Sequence, residues 1–182
     1  MTFPSPIDVG VATFHPSGTN TMAKIPDHKP IKDLFESLLG RDVTIATQEE
    51  RVVPTARRAC CVGTYVNGHG DVGALVAADL ELSARAGAAL GLVPPTGADT
   101  AIENQELPAA LYDNFFEVLN IFASLFVDEE TEANLKLHQV YQPGMVLPRT
   151  AAMQIRGLGS REDFRLEVDG YGAGALGIVI PF

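Results

Sequence analysis

The chain has 182 residues, 46% hydrophobic and 20% charged, which suits one globular domain with a sizeable core and excludes a disordered chain. A net charge of −10 disfavours nucleic acid as a partner, because phosphates would be repelled. No apolar run approaches the roughly 18 residues that a membrane span needs, and the first residues, MTFPSPIDVG, lack the basic and apolar regions of a signal peptide, so a cytoplasmic address is expected.

Residues 1–30 are rich in Pro, Ser, Thr and Gly and hold no sustained period, so they read as an extended or flexible arm ahead of a single domain over 31–182. Ile31 to Leu39 places apolar residues at 31, 34, 35, 38 and 39, the spacing of a helix, with Gly40 as its stop. Strand-like stretches follow at Val43–Thr47, Ala59–Val66 and Val72–Ala78. The last two are joined by Asn67-Gly68-His69-Gly70, a hairpin signal because Asn and Gly tolerate positive φ. Leu80 to Leu90 returns to a helical pattern that ends at Gly91. Residues 93–104 read as a loop, and a long helix is expected from Leu107 to Val127 with Pro108 in its first turn and acidic residues 128–132 extending or capping it. Strands at Leu135–Tyr141, Ala151–Ile155, Phe164–Val168 and Gly174–Ile180 close the chain.

Short connections between neighbouring strands imply antiparallel pairing. The fold class is therefore α+β, an antiparallel sheet of about six strands with long helices packed on it. Helix-then-three-strands reads twice, which suggests a weak internal duplication. The two cysteines, Cys60 and Cys61, are adjacent in a strand and point to opposite faces, so they are read as buried small hydrophobes and not as a disulfide or metal pair.

The acidity is concentrated. Residues 79–132 hold 11 acids against Arg85 alone, while the flanking segments are nearly neutral. Such a stretch fits a basic partner surface or a solvated face kept for solubility. Within it, the long helix sorts into two sides at 100° per residue. Leu111, Phe115, Val118, Leu119, Phe122, Leu125 and Phe126 share the inward arc. Opposite them Asp113, Glu117, Asn120 and Ser124 form a narrow polar ridge, flanked by Phe116 and Ile121. The spacing sets the Glu117 carboxylate and the Asn120 carboxamide on adjacent turns, about 5–6 Å apart at Cβ. An amphipathic helix always shows water some polar stripe. Asn, however, is a poor mid-helix residue, and apolar flanks beside a ridge suit docking.

Other motifs carry less. His15, His28, His69 and His138 are scattered without a second ligand at metal spacing. Gly157–Ser160 and Gly170–Gly174 read as hairpin turns, since neither stands between a strand and a helix as a phosphate loop does. Arg57-Arg58 is too short for a nucleic-acid patch.

Three segments, LLGRDVTI, VGTYVNGHGDVGALVAADLELSARAGAALG and LYDNFFEVLNIFASLF, together resemble the CheC/CheX/FliY chemotaxis phosphatase family in order and spacing over residues 31–180. Members pair a short helix ending in Leu-Leu-Gly with a glycine-bearing hairpin, a second helix, and a long helix carrying Glu-x-x-Asn. The resemblance implies dephosphorylation of the phospho-aspartate of a response-regulator receiver domain such as CheY, with Glu117 contacting a receiver lysine and Asn120 orienting the attacking water. The ridge and its apolar flanks make Asp113, Phe116, Ile121 and Ser124 the expected partner contacts, with Phe115-Phe116 standing where members tend to carry small residues. It further implies no cofactor or metal of the chain's own, the receiver supplying Mg²⁺, and a CheX-like homodimer. Glu36 is followed three residues later by Leu39, so a single Glu-x-x-Asn site is expected, as in the CheX-like branch. The alternatives are a catalytically inactive CheX-like protein-binding module in bacterial signalling and a fold relative with an unrelated binding role.

Overall fold

The structure, a computed structural model, describes residues 23–127, 134–157 and 159–182. The expected arm over 1–30 therefore lies largely outside the described residues, as do His15 and the acidic 128–132.

Helix α1 runs His28–Leu39, three residues earlier than its apolar spacing suggests. It buries Ile31, Phe35 and Leu39 on one face and stops at Gly40, whose φ of 60° is left-handed and whose N–H bonds the Glu36 carbonyl at 3.0 Å. Strands β1 (Val43–Thr47), β2 (Cys60–Val66) and β3 (Val72–Asp79) follow close to expectation. The β2–β3 turn is held by the Asn67 side chain, whose Oδ1 accepts from the N–H groups of His69 at 2.9 Å and Asp71 at 3.0 Å. Helix α2 (Leu80–Leu90) is capped by Asp79, whose Oδ1 accepts from Leu82 N at 2.8 Å and also from Ala175 N at 3.0 Å, tying the helix start to the strand that pairs with β3.

Two expectations fail here for one reason. Residues 93–104 are not a loop: α3 runs Pro95–Glu103, with Pro95 in the first turn and Ala98 and Ala101 fully buried or nearly so. Ala151–Ile155 is not a strand: α5 runs Arg149–Arg156 behind Pro148, burying Ala151 and Ile155 at i, i+4. Each segment shows only two small or isolated apolar anchors per two turns, too few for a visible period, and tertiary burial decides the outcome. As a result Gly157 caps α5 while Gly159 and Ser160 open the next strand, so this stretch is not a hairpin, whereas Gly170–Gly174 lies at a hairpin as read.

The long helix is shorter than expected. α4 spans Ala109–Phe122 with Pro108 as its N-cap, and Ala123–Leu125 tightens into a 3₁₀ turn. Strands β4 (Lys136–Tyr141), β5 (Gly159–Val168) and β6 (Gly172–Pro181) complete a six-stranded sheet in the order β1-β5-β6-β3-β2-β4, every pairing antiparallel. Exchanging β1 with β4, β2 with β5 and β3 with β6 reverses this order. The internal duplication is thus written in the topology, with a pseudo-twofold axis between β3 and β6, and the edge strand of each repeat is paired with the other repeat.

One sheet face carries Cys61, Tyr65, Val76, Phe164, Leu176 and Ile178 against α1, α2 and α4, forming the main core. The other carries Cys60, Val62, Leu75, Ala77 and Val179 under α5 and the β1–β2 connection. The adjacent cysteines do face opposite ways. Both are unpaired thiols, and burial pushes each up to about 12. The second face is pinned by one ion pair. Arg161 gives Nε and Nη2 to the two Asp163 carboxylate oxygens, each at 2.6 Å, and donates to the carbonyls of Ile155 at 2.7 Å and Val52 at 2.9 Å. Asp163 in turn accepts from Val52 N at 2.7 Å.

Candidate functional site

The inward residues of α4, Leu111, Phe115, Val118, Leu119 and Phe122, are all buried, each contributing about 1.5–3 kcal/mol by removal from water. Phe122 stacks edge-on with Phe35 of α1 and with Phe126, at centroid distances of 6.3 and 5.6 Å. The Tyr65 hydroxyl of β2 donates to the Leu119 carbonyl at 2.9 Å. That carbonyl lies in the last turn, where intrahelical partners run out, so the bond secures the end of α4 that carries Asn120. Burial drives the Tyr65 hydroxyl well above its usual range, so it stays a donor.

With its inner side fixed, the outer side of α4 follows. Asp113, Phe116, Glu117 and Asn120 are exposed and share one face; Ile121 is half-buried beside them. Ser124 is exposed but sits in the 3₁₀ turn, where each residue advances about 120°, so it leaves the straight ridge. Phe116 is 39% exposed and leans on Tyr112 one turn back, with centroids 6.2 Å apart. The ridge therefore offers an acceptor-only carboxylate, a carboxamide that both donates and accepts, and an apolar ring, all on a rigid support. Asn120 and Ser124 also border a shallow depression shared with Lys136 and Leu137 of β4. Lys136 adds a cation to the lining of that depression. The sequence holds no signal for it, since the fold and not the chain order brings β4 to the end of α4.

The equivalent helix of the first repeat carries no such ridge. Glu36 accepts from the Lys32 ammonium and from Val43 N at 3.0 Å, contacts that hold its carboxyl below the usual range in that order of importance. Leu39, at the asparagine position, is buried. Glu36 thus joins α1 to β1 instead of facing a partner. Elsewhere, His28 bonds the Thr47 hydroxyl at 2.8 Å and packs edge-on against Phe164. Among the described residues no three His, Cys, Asp or Glu side chains converge as metal ligands would, and no helix is long and apolar enough to cross a membrane.

No protein-family model and no curated protein matches the sequence. Solved structures do match. The FliM middle domain from H. pylori superposes with a TM-score of 0.54 at 9% identity, covering 84% of this chain and 84% of that one. A chain of the FliM–SpeE complex from H. pylori gives 0.52 at 11% identity, over 84% and 80%. A chain of the CheX–CheY–BeF3–Mg complex from Borrelia burgdorferi gives 0.45 at 12% identity, over 85% and 97%. At such identities the likeness speaks to architecture. The duplicated six-stranded sheet with helices α1 to α4 on one face is the CheC/CheX/FliY-type fold, the one that the Leu-Leu-Gly, hairpin and Glu-x-x-Asn segments resemble.

Proposed function

We infer that the chain docks a response-regulator receiver domain on the outer face of α4 and accelerates hydrolysis of its aspartyl phosphate. The observation that carries this reading is the exposed Glu117–Asn120 pair, one turn apart on a helix whose inner side is immobilised. An acyl phosphate needs little help beyond geometry. Water attacks phosphorus, the P–O bond to the aspartyl carbonyl carbon's oxygen breaks, and the carboxylate leaves with the electron pair. The Asn120 side-chain oxygen accepts a hydrogen bond from that water and aims it in line, while its NH₂ is free to donate to the receiver. Glu117 pairs with a receiver lysine and sets the register. Mg²⁺ belongs to the receiver in this scheme.

A second reading, docking without hydrolysis, is favoured by Phe116. Its exposed ring stands directly before Glu117 and supplies apolar contact area whatever the chemistry. The experiment follows decay of a phosphorylated receiver with added protein. Asn120→Ala should lower the accelerated rate about a hundredfold with receiver affinity retained, whereas Glu117→Ala should weaken docking by up to about fivefold with turnover at saturation preserved. Wild-type protein that binds the receiver but leaves its decay unchanged would establish the docking module and exclude the hydrolase.

A further inference from the structure

The second face of the sheet is thinly covered. One eight-residue helix, α5, and the β1–β2 connection lie over it, and between them and the β4–α5 turn is a groove of about 370 Å³. Its floor is formed by Cys60 and Val62, and its walls by Pro54, Leu147 and Ala152. That volume is within the range of sites that hold a side chain or small ligand.

Two features of the rim are unlike the rest of the surface. Met145 is 53% exposed and Val146 91%. Single exposed apolar residues are ordinary, but these two neighbours both line one groove, and methionine suits an adaptable contact surface. The rim is also basic in a chain of net charge −10. Arg58 and Arg156 line the groove, Arg57 adjoins Arg58, and Arg149, Ala152 and Arg156 follow one stripe of α5 at i, i+3, i+7. Arg58 already pairs with Glu50 at 2.9 Å. Arg156 donates Nη2 to the Pro54 carbonyl at 2.9 Å and has no carboxylate within ion-pair distance among the described residues, so most of its five N–H donors are available.

We propose that this groove takes an acidic segment of a partner protein bearing an apolar side chain. The apolar group fills the space over Cys60 and Val62 and is gripped by Met145 and Val146, and a neighbouring carboxylate forms a forked pair with Arg156. Charge complementarity selects an anionic partner, and the apolar rim extending beyond the groove selects a chain segment over an enclosed small molecule. The groove and α4 lie on opposite faces of the sheet, so one chain can hold a partner on each side at once.

Fluorescence anisotropy with labelled peptides of about a dozen residues tests this. The probes are a Glu/Leu peptide, the same peptide with Lys for Glu, and the same with Ser for Leu. The Glu/Leu peptide should bind about tenfold more tightly than either other probe. Arg156→Glu should reverse the preference toward the Lys/Leu peptide, and Met145→Ser should weaken binding without reversing it. Lys29→Glu, on exposed α1 and carrying the same change in net charge, should have no effect. Circular dichroism checks that each variant is folded. Equal binding of the Leu and Ser probes, or equal effects of Arg156→Glu and Lys29→Glu, would overturn the proposal. A concentration-dependent dimer dissolved by Arg156→Glu would assign the groove to a second copy, and decanoate outcompeting the peptide would assign it to a free carboxylate. Either result also overturns it.

Discussion

Arg161→Met is the sharpest test of how the second face is held. The Arg161 and Asp163 side chains are only 9% and 6% exposed, so water cannot replace what either loses. The substitution keeps most of the volume but removes both bonds to Asp163 and the donors to the Ile155 and Val52 carbonyls. Asp163 is left with Val52 N at 2.7 Å and no cation. Stranding one member of a buried pair costs about 3–5 kcal/mol, against a total stability of roughly 5–15 kcal/mol. Urea titration should therefore show that loss, with the thermal midpoint falling by roughly 6–20 °C. Because Val52 sits in the β1–β2 connection and Ile155 in α5, hydrogen exchange should rise first in those two segments. Adding Asp163→Leu should recover part of the loss, since the unpaired charge, and not the missing bridge, is the larger penalty. A loss below about 1 kcal/mol for Arg161→Met would refute this assignment, because it would place the pair among solvent-screened ion pairs.

Two further outcomes concern the main core. Burial raises the Asp79 carboxyl above its ordinary range, opposed by the bonds from Ala175 and Leu82. The folded state therefore binds this proton more tightly than the unfolded state, so the group's favourable contribution is present below about pH 4 and is lost as pH rises through the folded-state value. Asp79→Asn, which retains the acceptor oxygen, should gain on the wild type in denaturant titrations as pH goes from 4 to 7, while Asp79→Ala should lose about 1–2 kcal/mol at either pH. Gly87→Ala probes the α2–α4 contact. A Cβ there would stand 2.3 Å from the Leu111 carbonyl oxygen, so a net loss of about 2 kcal/mol is expected despite better helix propensity, while Gly68→Ala, with nothing within 4 Å, should stay within about 0.5 kcal/mol in the same thermal melt.

Legibility in the sequence tracked the density of local signals. α1 was readable because five apolar positions and a glycine stop agree, and the β2–β3 hairpin because Asn67 brings its own turn chemistry. The α4 ridge was readable because five buried apolar residues fix the helix's inner arc and Asp113, Glu117 and Asn120 opposite them are exposed, whereas Ser124 falls in the 3₁₀ turn beyond the helix. α3 and α5 were missed because alanines are weak markers of a buried face until one knows what covers them. The basic groove was invisible for a related reason. Arg58, Met145 and Arg156 come from three separate segments, and nothing in the chain order predicts that the β1–β2 and β4–α5 connections meet over one patch of sheet.

The exchange of edge strands between the repeats bears on how the chain can be made. Val43 of β1 pairs with Val168, and Tyr141 of β4 pairs back to Val62, so a ribosome that has released the first repeat has delivered strands without their final neighbours. Neither half can close its hydrogen-bond ladder early, and the nascent polypeptide must hold β1 unmatched until β5 emerges. Assembly is thereby delayed until the second repeat has emerged, and until then an uncovered β1 is open to capture by another growing chain.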